Sequence, residues 1–328
     1  MAKNLNYCFF GSSDFSVFVL KEIIKIYPPA LVVTLPAKPQ GRGLKIQPNP
    51  VYSFCLEKKL EVVELKDWQQ LKSLSFAFGL VAGFGKIIPR EIFSQFKQGL
   101  LNLHPSLLPK YRGANPIRET ILNGESETGV TLILIDELVD HGPIICQQKL
   151  SLSGRETYTQ LLQTLGRASG YLINQCLELW LKGDIKPQAQ DDSSATFTKK
   201  IHKEDGYLNS EEAFLTWDRK IRALNPWPGT FMKIIFKRPA RQPLNHNQSQ
   251  NEKLLKIFAI EKLDEKQLPR DIQAKKIGEF FSWRNSLGLK ISDAFITIKE
   301  LQLEGKKKMS SREFLNGYKL GGFQLATT

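Results

Sequence analysis

The stretch Leu100–Pro116, LLNLHPSLLPKYRGANP, decides how this chain of 328 residues is read. Leu100, Leu101 and Leu103 form an apolar run that carries Asn102 and His104 two positions apart and breaks at Pro105. Residues i and i+2 of a strand share a face. Asn102 and His104 are therefore expected side by side at the carboxyl end of a buried strand. Open α/β sheets bind ligands and place chemistry at that end. An amide donor beside an imidazole suits a reaction in which a carbonyl becomes an oxyanion while a proton moves.

Working outward, Asn6–Phe10 is a short apolar run. Asp14–Tyr27 follows with apolar residues at helical spacing and Ser13 as its N-cap. Leu31–Leu35, Phe78–Ala82 and Val130–Ile135 read as further buried strands, and Thr157–Leu181 as a long closing helix. Such alternation predicts an α/β fold with a doubly wound, Rossmann-like, mostly parallel sheet. The first turn, F-G-S-S-D-F, has one glycine where a dinucleotide-binding turn has three, which excludes NAD and FAD. Lys182–Lys200 is polar and reads as a linker or strap. Beyond it come a helix over Ser210–Leu224, the turn N-P-W-P-G and short apolar runs at Thr230–Phe236, Lys253–Ile260, Gly288–Lys290 and Ala294–Leu303. Short strands with basic loops predict a smaller C-terminal β-barrel. The expected division is a first domain over 1–187, a linker over 188–205 and the barrel over 206–328.

Charge separates the two parts. From Gly206 onward there are 22 Lys and Arg against 13 Asp and Glu; before it there are 24 against 20. The denser excess in the smaller part favours a polyanionic partner, nucleic acid first. No apolar run reaches the roughly 18 residues of a membrane span, and the chain is expected to be cytoplasmic with no membrane partner. Cys8, Cys55, Cys146 and Cys176 are scattered without a C-x-x-C pair, which predicts reduced thiols rather than zinc ligands or disulfides.

A second segment, Gly129–Pro143 (GVTLILIDELVDHGP), places Asp136 and Asp140 after a strand. Asp140, beside the H-G-P turn, is the acid expected to orient the imidazole or to take a proton through a water. Asp136 is expected to be structural. His104, Asp140 and His141 lack metal-like spacing and a fourth ligand, so no metal is expected. The loop Pro36–Pro50 holds Gly41, Gly43 and several prolines, is expected to lack regular structure, and carries Lys38, Arg42 and Lys45.

Several stretches together resemble one family: FGSSDFS (Phe10–Ser16), KPQGRGLKIQPNP (Lys38–Pro50), NLHPSLLPKYRGANP (Asn102–Pro116), Gly129–Thr131 with Asp140–Pro143, PWPG (Pro226–Gly229) and ELQLEGKKKMSSREFLNG (Glu300–Gly317). In order and over nearly the whole chain, they resemble the 10-formyltetrahydrofolate-dependent formyltransferases, and among these the methionyl-tRNA formyltransferase family. The resemblance implies transfer of a formyl group to the α-amino group of methionyl-initiator tRNA, for translation initiation, by a monomer that needs no metal. It implies Asn102 and His104 at the oxyanion, with Asp140 assisting the proton. It also implies 10-formyltetrahydrofolate held by Ser106, Leu107, Leu108 and Pro109 and by Phe84, Ile87 and Ile88. Lys38, Arg42 and Lys45 would read the tRNA acceptor end, and Lys306, Lys307 and Lys308 of an OB-fold-like barrel its backbone. His141 departs from the family, where a small residue or Thr is common before the glycine.

Overall fold

Tyr7–Phe10 is buried at every position and forms strand β1, as a strand inside a sheet covered on both faces must be. The computed structural model describes residues 5–40, 45–47, 49–72, 75–236 and 252–326. After β1 the Ser13 side chain caps helix α1 (Asp14–Ile23) and Ser16 returns the bond, a reciprocal cap. Strand β2 (Leu31–Thr34) leads to β3 (Lys38–Gln40) and β4 (Lys45–Gln47), an antiparallel pair with Lys38 opposite Gln47. This corrects the expectation of a loop without regular structure. A two-stranded ladder standing apart from the main sheet tolerates Pro39, because a proline forfeits only one donor there.

Asn49 caps helix α2 (Pro50–Lys58), accepting from the Val51 amide at 2.9 Å. Then come β5 (Val62–Glu64), β6 (Phe78–Val81), α3 (Arg90–Phe93), β7 (Leu100–His104), α4 (Pro116–Asn123), β8 (Glu127–Leu134), β9 (Ile144–Ser151) and α5 (Tyr158–Lys182). The main sheet has the order β5-β2-β1-β6-β7-β8-β9. It is parallel from β5 to β7, as expected, and antiparallel from β7 to β9. Helix α5 lies close against α1. A Cβ at Gly166 would stand 2.3 Å from the Phe18 Cβ and one at Gly170 2.2 Å from the Glu22 Cβ, so these positions admit only glycine at this spacing.

Cys146 of β9 and Cys176 of α5 are joined as a disulfide with Cα atoms 6.7 Å apart, which corrects the reading of four thiols. The helix packs on the strand and joins positions 30 residues apart, a proximity that spacing does not encode. Cys8 and Cys55 are free and buried, and burial pushes the Cys55 thiol up to about 11, away from nucleophile behaviour.

The chain divides into two compact units, Met1–Thr120 with Glu125–Lys200, and Ile121–Gly124 with Ile201–Thr328. Residues 188–200 are bonded to the first unit. Gln188 exchanges backbone bonds with Ile144, and Thr198 donates to the Arg112 carbonyl. The second unit comprises α6 (Phe214–Leu224), β10 (Thr230–Phe236), β11 (Glu252–Lys262), α7 (Arg270–Gln273), β12 (Phe280–Trp283), β13 (Ser286–Ile291), β14 (Ala294–Leu303), β15 (Met309–Ser310), α8 (Ser311–Gly317) and β16 (Phe323–Leu325). Its strands pair antiparallel in the order β12-β13-β14-β11-β10-β16, a nearly closed barrel of the OB-like kind expected. Trp217, Phe314, Ile257 and Leu289 lie in its core.

Candidate active site

Strand β7 ends as the apolar pattern predicts. Asn102 is registered against Val81 of β6 and Ile133 of β8, and His104 against Thr131. Both side chains face a cavity of about 890 Å³ in the first unit, and Asp140 faces it from the loop after β8. The Asn102 Nδ2 donates to Asp140 Oδ1 at 3.0 Å, and His104 Nδ1 lies 3.4 Å from Asp140 Oδ2. One carboxylate thus bridges the amide and the imidazole.

Two backbone groups fix this arrangement. His104 Nε2 lies 2.9 Å from the Tyr111 carbonyl, which can only accept, so Nε2 carries a proton and Nδ1 is turned to the acid. The Gly113 amide donates to Asp140 Oδ2 at 2.8 Å. Asp140 itself has φ +52°, a left-handed conformation that costs a non-glycine residue roughly 1 kcal/mol and needs support from its surroundings. Behind it Gly142 passes so close to Leu134 that a Cβ would fall 1.7 Å from that carbonyl oxygen.

The cavity wall is largely apolar. Phe84, Ile87 and Ile88 line it, as do Leu138 and Val139; Phe84 is buried, whereas Ile87 is 79% exposed. Arg118 stacks on the Tyr158 ring at 3.8 Å in the same wall, a cation the sequence reading did not single out. Ser106–Pro109 lie elsewhere. Ser106 Oγ donates to the Lys110 carbonyl, the Leu108 amide donates to Thr131 Oγ1, and Leu107 and Pro109 line a separate cavity of about 230 Å³. Four residues of the expected cofactor set therefore form a buttressed turn outside the wall that holds the other three.

His141 pairs with carboxylates other than that of Asp140. Its Nδ1 lies 2.6 Å from Asp136 Oδ2 and its Nε2 3.4 Å from Asp192 Oδ2. The hydrogen bond to Asp136 raises the imidazole above its usual range, against a smaller opposing effect of burial. Hydrogen bonding from Arg112 holds the Asp192 carboxyl below its own. Among the described residues no group of three His, Cys, Asp or Glu is placed to hold a metal. No described helix is long and apolar enough to cross a membrane.

The basic residues fall in three places. Lys38 stands on β3 and Lys45 on β4, while Arg42 lies outside the described residues. Lys306, Lys307 and Lys308 are exposed between β14 and β15, and Lys308 pairs with Glu300 at 2.6 Å and lies over the Phe258 ring at 4.7 Å. The sequence reading gave no role to Gln190, nor to Tyr111, Arg112 and Gly113, although these three stand in the stretch Asn102–Pro116 that carries the resemblance. Their roles depend on contacts across 7 to 78 residues of chain, for which no local pattern exists.

Residues 20–176 match the Formyl transferase family and residues 200–319 the family of its C-terminal domain. The methionyl-tRNA formyltransferase of Lachnospira eligens is 32% identical over 95% of this chain and 96% of its own. That of Caldicellulosiruptor saccharolyticus is 34% identical over the same shares. Among solved structures, the N-formyltransferase of Helicobacter canadensis, in complex with folinic acid and dTDP-3-aminofucose, aligns with a TM-score of 0.60 at 19% identity over 90% of this chain and 98% of that one. HypX of Aquifex aeolicus with tetrahydrofolic acid aligns at 0.62 and 16% identity over 95% and 47%. These two likenesses establish the fold.

Proposed function

Because the chain belongs to the methionyl-tRNA formyltransferase family, we propose that it transfers the formyl group of 10-formyltetrahydrofolate to the α-amino group of methionyl-initiator tRNA, the step that readies this tRNA for translation initiation. The amine attacks the formyl carbon, the new C–N bond forms, and the carbonyl oxygen takes the negative charge. Among the described residues, one Asn102 amide hydrogen is used by Asp140; the other is available to the oxyanion. Asp140 receives the amine proton and shares it with His104, which places positive charge beside the intermediate. Collapse breaks the bond to the folate nitrogen, and as it leaves that nitrogen takes the proton that the Asp140–His104 pair received from the amine. No covalent bond to the enzyme is required.

The folate ring system is assigned to the wall formed by Phe84, Ile87 and Ile88, and Ser106–Pro109 to the support of the strand end. The backbone of the tRNA is assigned to Lys306–Lys308 and its acceptor end to Lys38, Arg42 and Lys45, since a basic surface binds phosphates whatever their sequence. One observation carries the proposal: a carboxylate joining an amide and an imidazole in the wall of a cavity of about 890 Å³. Incubation with 10-formyltetrahydrofolate and charged initiator tRNA tests it. The expected product is N-formylmethionyl-tRNA, with elongator methionyl-tRNA a poorer acceptor and binding that weakens steeply with salt. An amine that stays free, or an amino-sugar nucleotide consumed in its place, defeats the reading.

A further inference from the structure

Gln190 lies on the strap that follows α5, and its side-chain amide is fully engaged. Its Nε2 donates to the Asp140 carbonyl at 2.9 Å and to the Gly142 carbonyl at 2.8 Å. Its Oε1 accepts from Arg112 Nε at 3.1 Å and Nη2 at 2.8 Å. Arg112 is 4% exposed, and a buried guanidinium must keep its acceptors, so the orientation of the Gln190 amide is fixed from behind. The two carbonyls it grips stand on either side of His141. A backbone rotation that swung the Asp140 carboxylate off Asn102 and His104 would have to break at least one of these bonds, and Asp140 sits in a left-handed conformation that demands such restraint.

We propose that Gln190 is a positioning residue for formyl transfer, clamping the Asp140–Gly142 backbone so that the carboxylate stays between Asn102 and His104. This rests on the reading given above. The same strap secures the opposite side of the trio. Thr196 Oγ1 accepts from the amide of Tyr111, whose carbonyl binds His104, and the Thr198 amide donates to Arg112, next to the Gly113 amide that binds Asp140. Within the strap it is thus Gln190, Thr196 and Thr198 that brace the trio.

Two variants separate this role from simple attachment of the strap. Gln190→Glu keeps an acceptor for Arg112 and removes both donors; Asp192→Asn removes a charge that the strap presents to Arg112 and His141 and leaves the amide intact. Gln190→Glu is expected to lower kcat about 10- to 100-fold, the scale of a small misplacement of a reacting group, with KM for both substrates within about threefold. Asp192→Asn is expected to hold kcat within about twofold. Gln190→Asn, the same amide one methylene shorter, carries the same expectation as Gln190→Glu and replaces it if that variant misfolds. A kcat within twofold of the parent, or an equal loss in Asp192→Asn, overturns the proposal. A parent chain that transfers no formyl group defeats the functional reading instead. The link is then read by NMR: the His104 ring signals must move in Gln190→Glu, and unmoved signals overturn the proposal without any turnover.

Discussion

Replacing Asp140 with Asn tests the trio most directly, because it preserves shape and removes charge. The carboxylate lies 3.4 Å from His104 Nδ1. Once the ring holds the amine proton, a pair at that distance attracts by about 5 kcal/mol at an effective dielectric near 20. At roughly 1.4 kcal/mol per decade this corresponds to between three and four decades in rate. An amide at position 140 also meets two donors, Asn102 Nδ2 and the Gly113 amide, and can accept from only one through its single oxygen. Whichever way it turns, one donor loses its partner, at about 1–3 kcal/mol of stability. Asp140→Asn is therefore expected to lower kcat by about 10³-fold, with KM for both substrates nearly unchanged and the unfolding midpoint down by a few degrees. Single-turnover formation of acid-stable formylmethionine measures the first, and thermal unfolding the last. A kcat within tenfold of the parent refutes the assignment of the proton to this acid.

Asn102→Ala should lower kcat about 10²- to 10³-fold, the usual consequence of losing one oriented donor to an oxyanion, while tRNA affinity by filter binding stays close to that of the parent. Gly142→Ala forces a Cβ against the Leu134 carbonyl; it should depress both the unfolding midpoint and kcat, and a variant that melts and turns over like the parent would show that the loop has room. The His141 imidazole is raised in the folded chain above its ordinary value of ~6.5. Its contribution to stability is thus complete below that pH and is lost as pH rises through the folded value. The difference in unfolding midpoint between the parent and His141→Asn should narrow over that window, and a gap that widens with pH contradicts the pairing with Asp136 and Asp192.

The parts of this molecule that repeat with a period were open to reading from sequence. The strand ending at His104, the helix capped by Ser13 and the long helix capped by Thr157 announce themselves through apolar spacing and capping chemistry. Asn102 and His104 were legible because a two-residue period fixes which face they share. Other elements carried weaker marks. Helix α8 begins with Ser310 and Glu313 in a reciprocal cap, a signature present in the sequence but outside any long apolar pattern. Strands β12 and β16 are only 4 and 3 residues long, too short for a period to show. The roles of the trio's partners were not legible, even where the residues stood in a quoted motif. Tyr111 acts through a carbonyl and Gly113 through an amide, groups that every residue possesses, and Gln190 acts through a fold that returns 50 residues later to Asp140.

The strap has a practical corollary for dissecting the protein. The last strand of the main sheet ends at Ser151 and its covering helix at Lys182. A fragment stopped at Gly183 retains all seven strands and a credible domain outline, yet discards the segment that grips Asp140 and Tyr111. Foldedness and competence then end at different points along the chain, and a spectroscopically intact fragment would be expected to be a poor enzyme. Truncations, fusions and domain exchanges should be joined beyond Lys200, the end of the first unit.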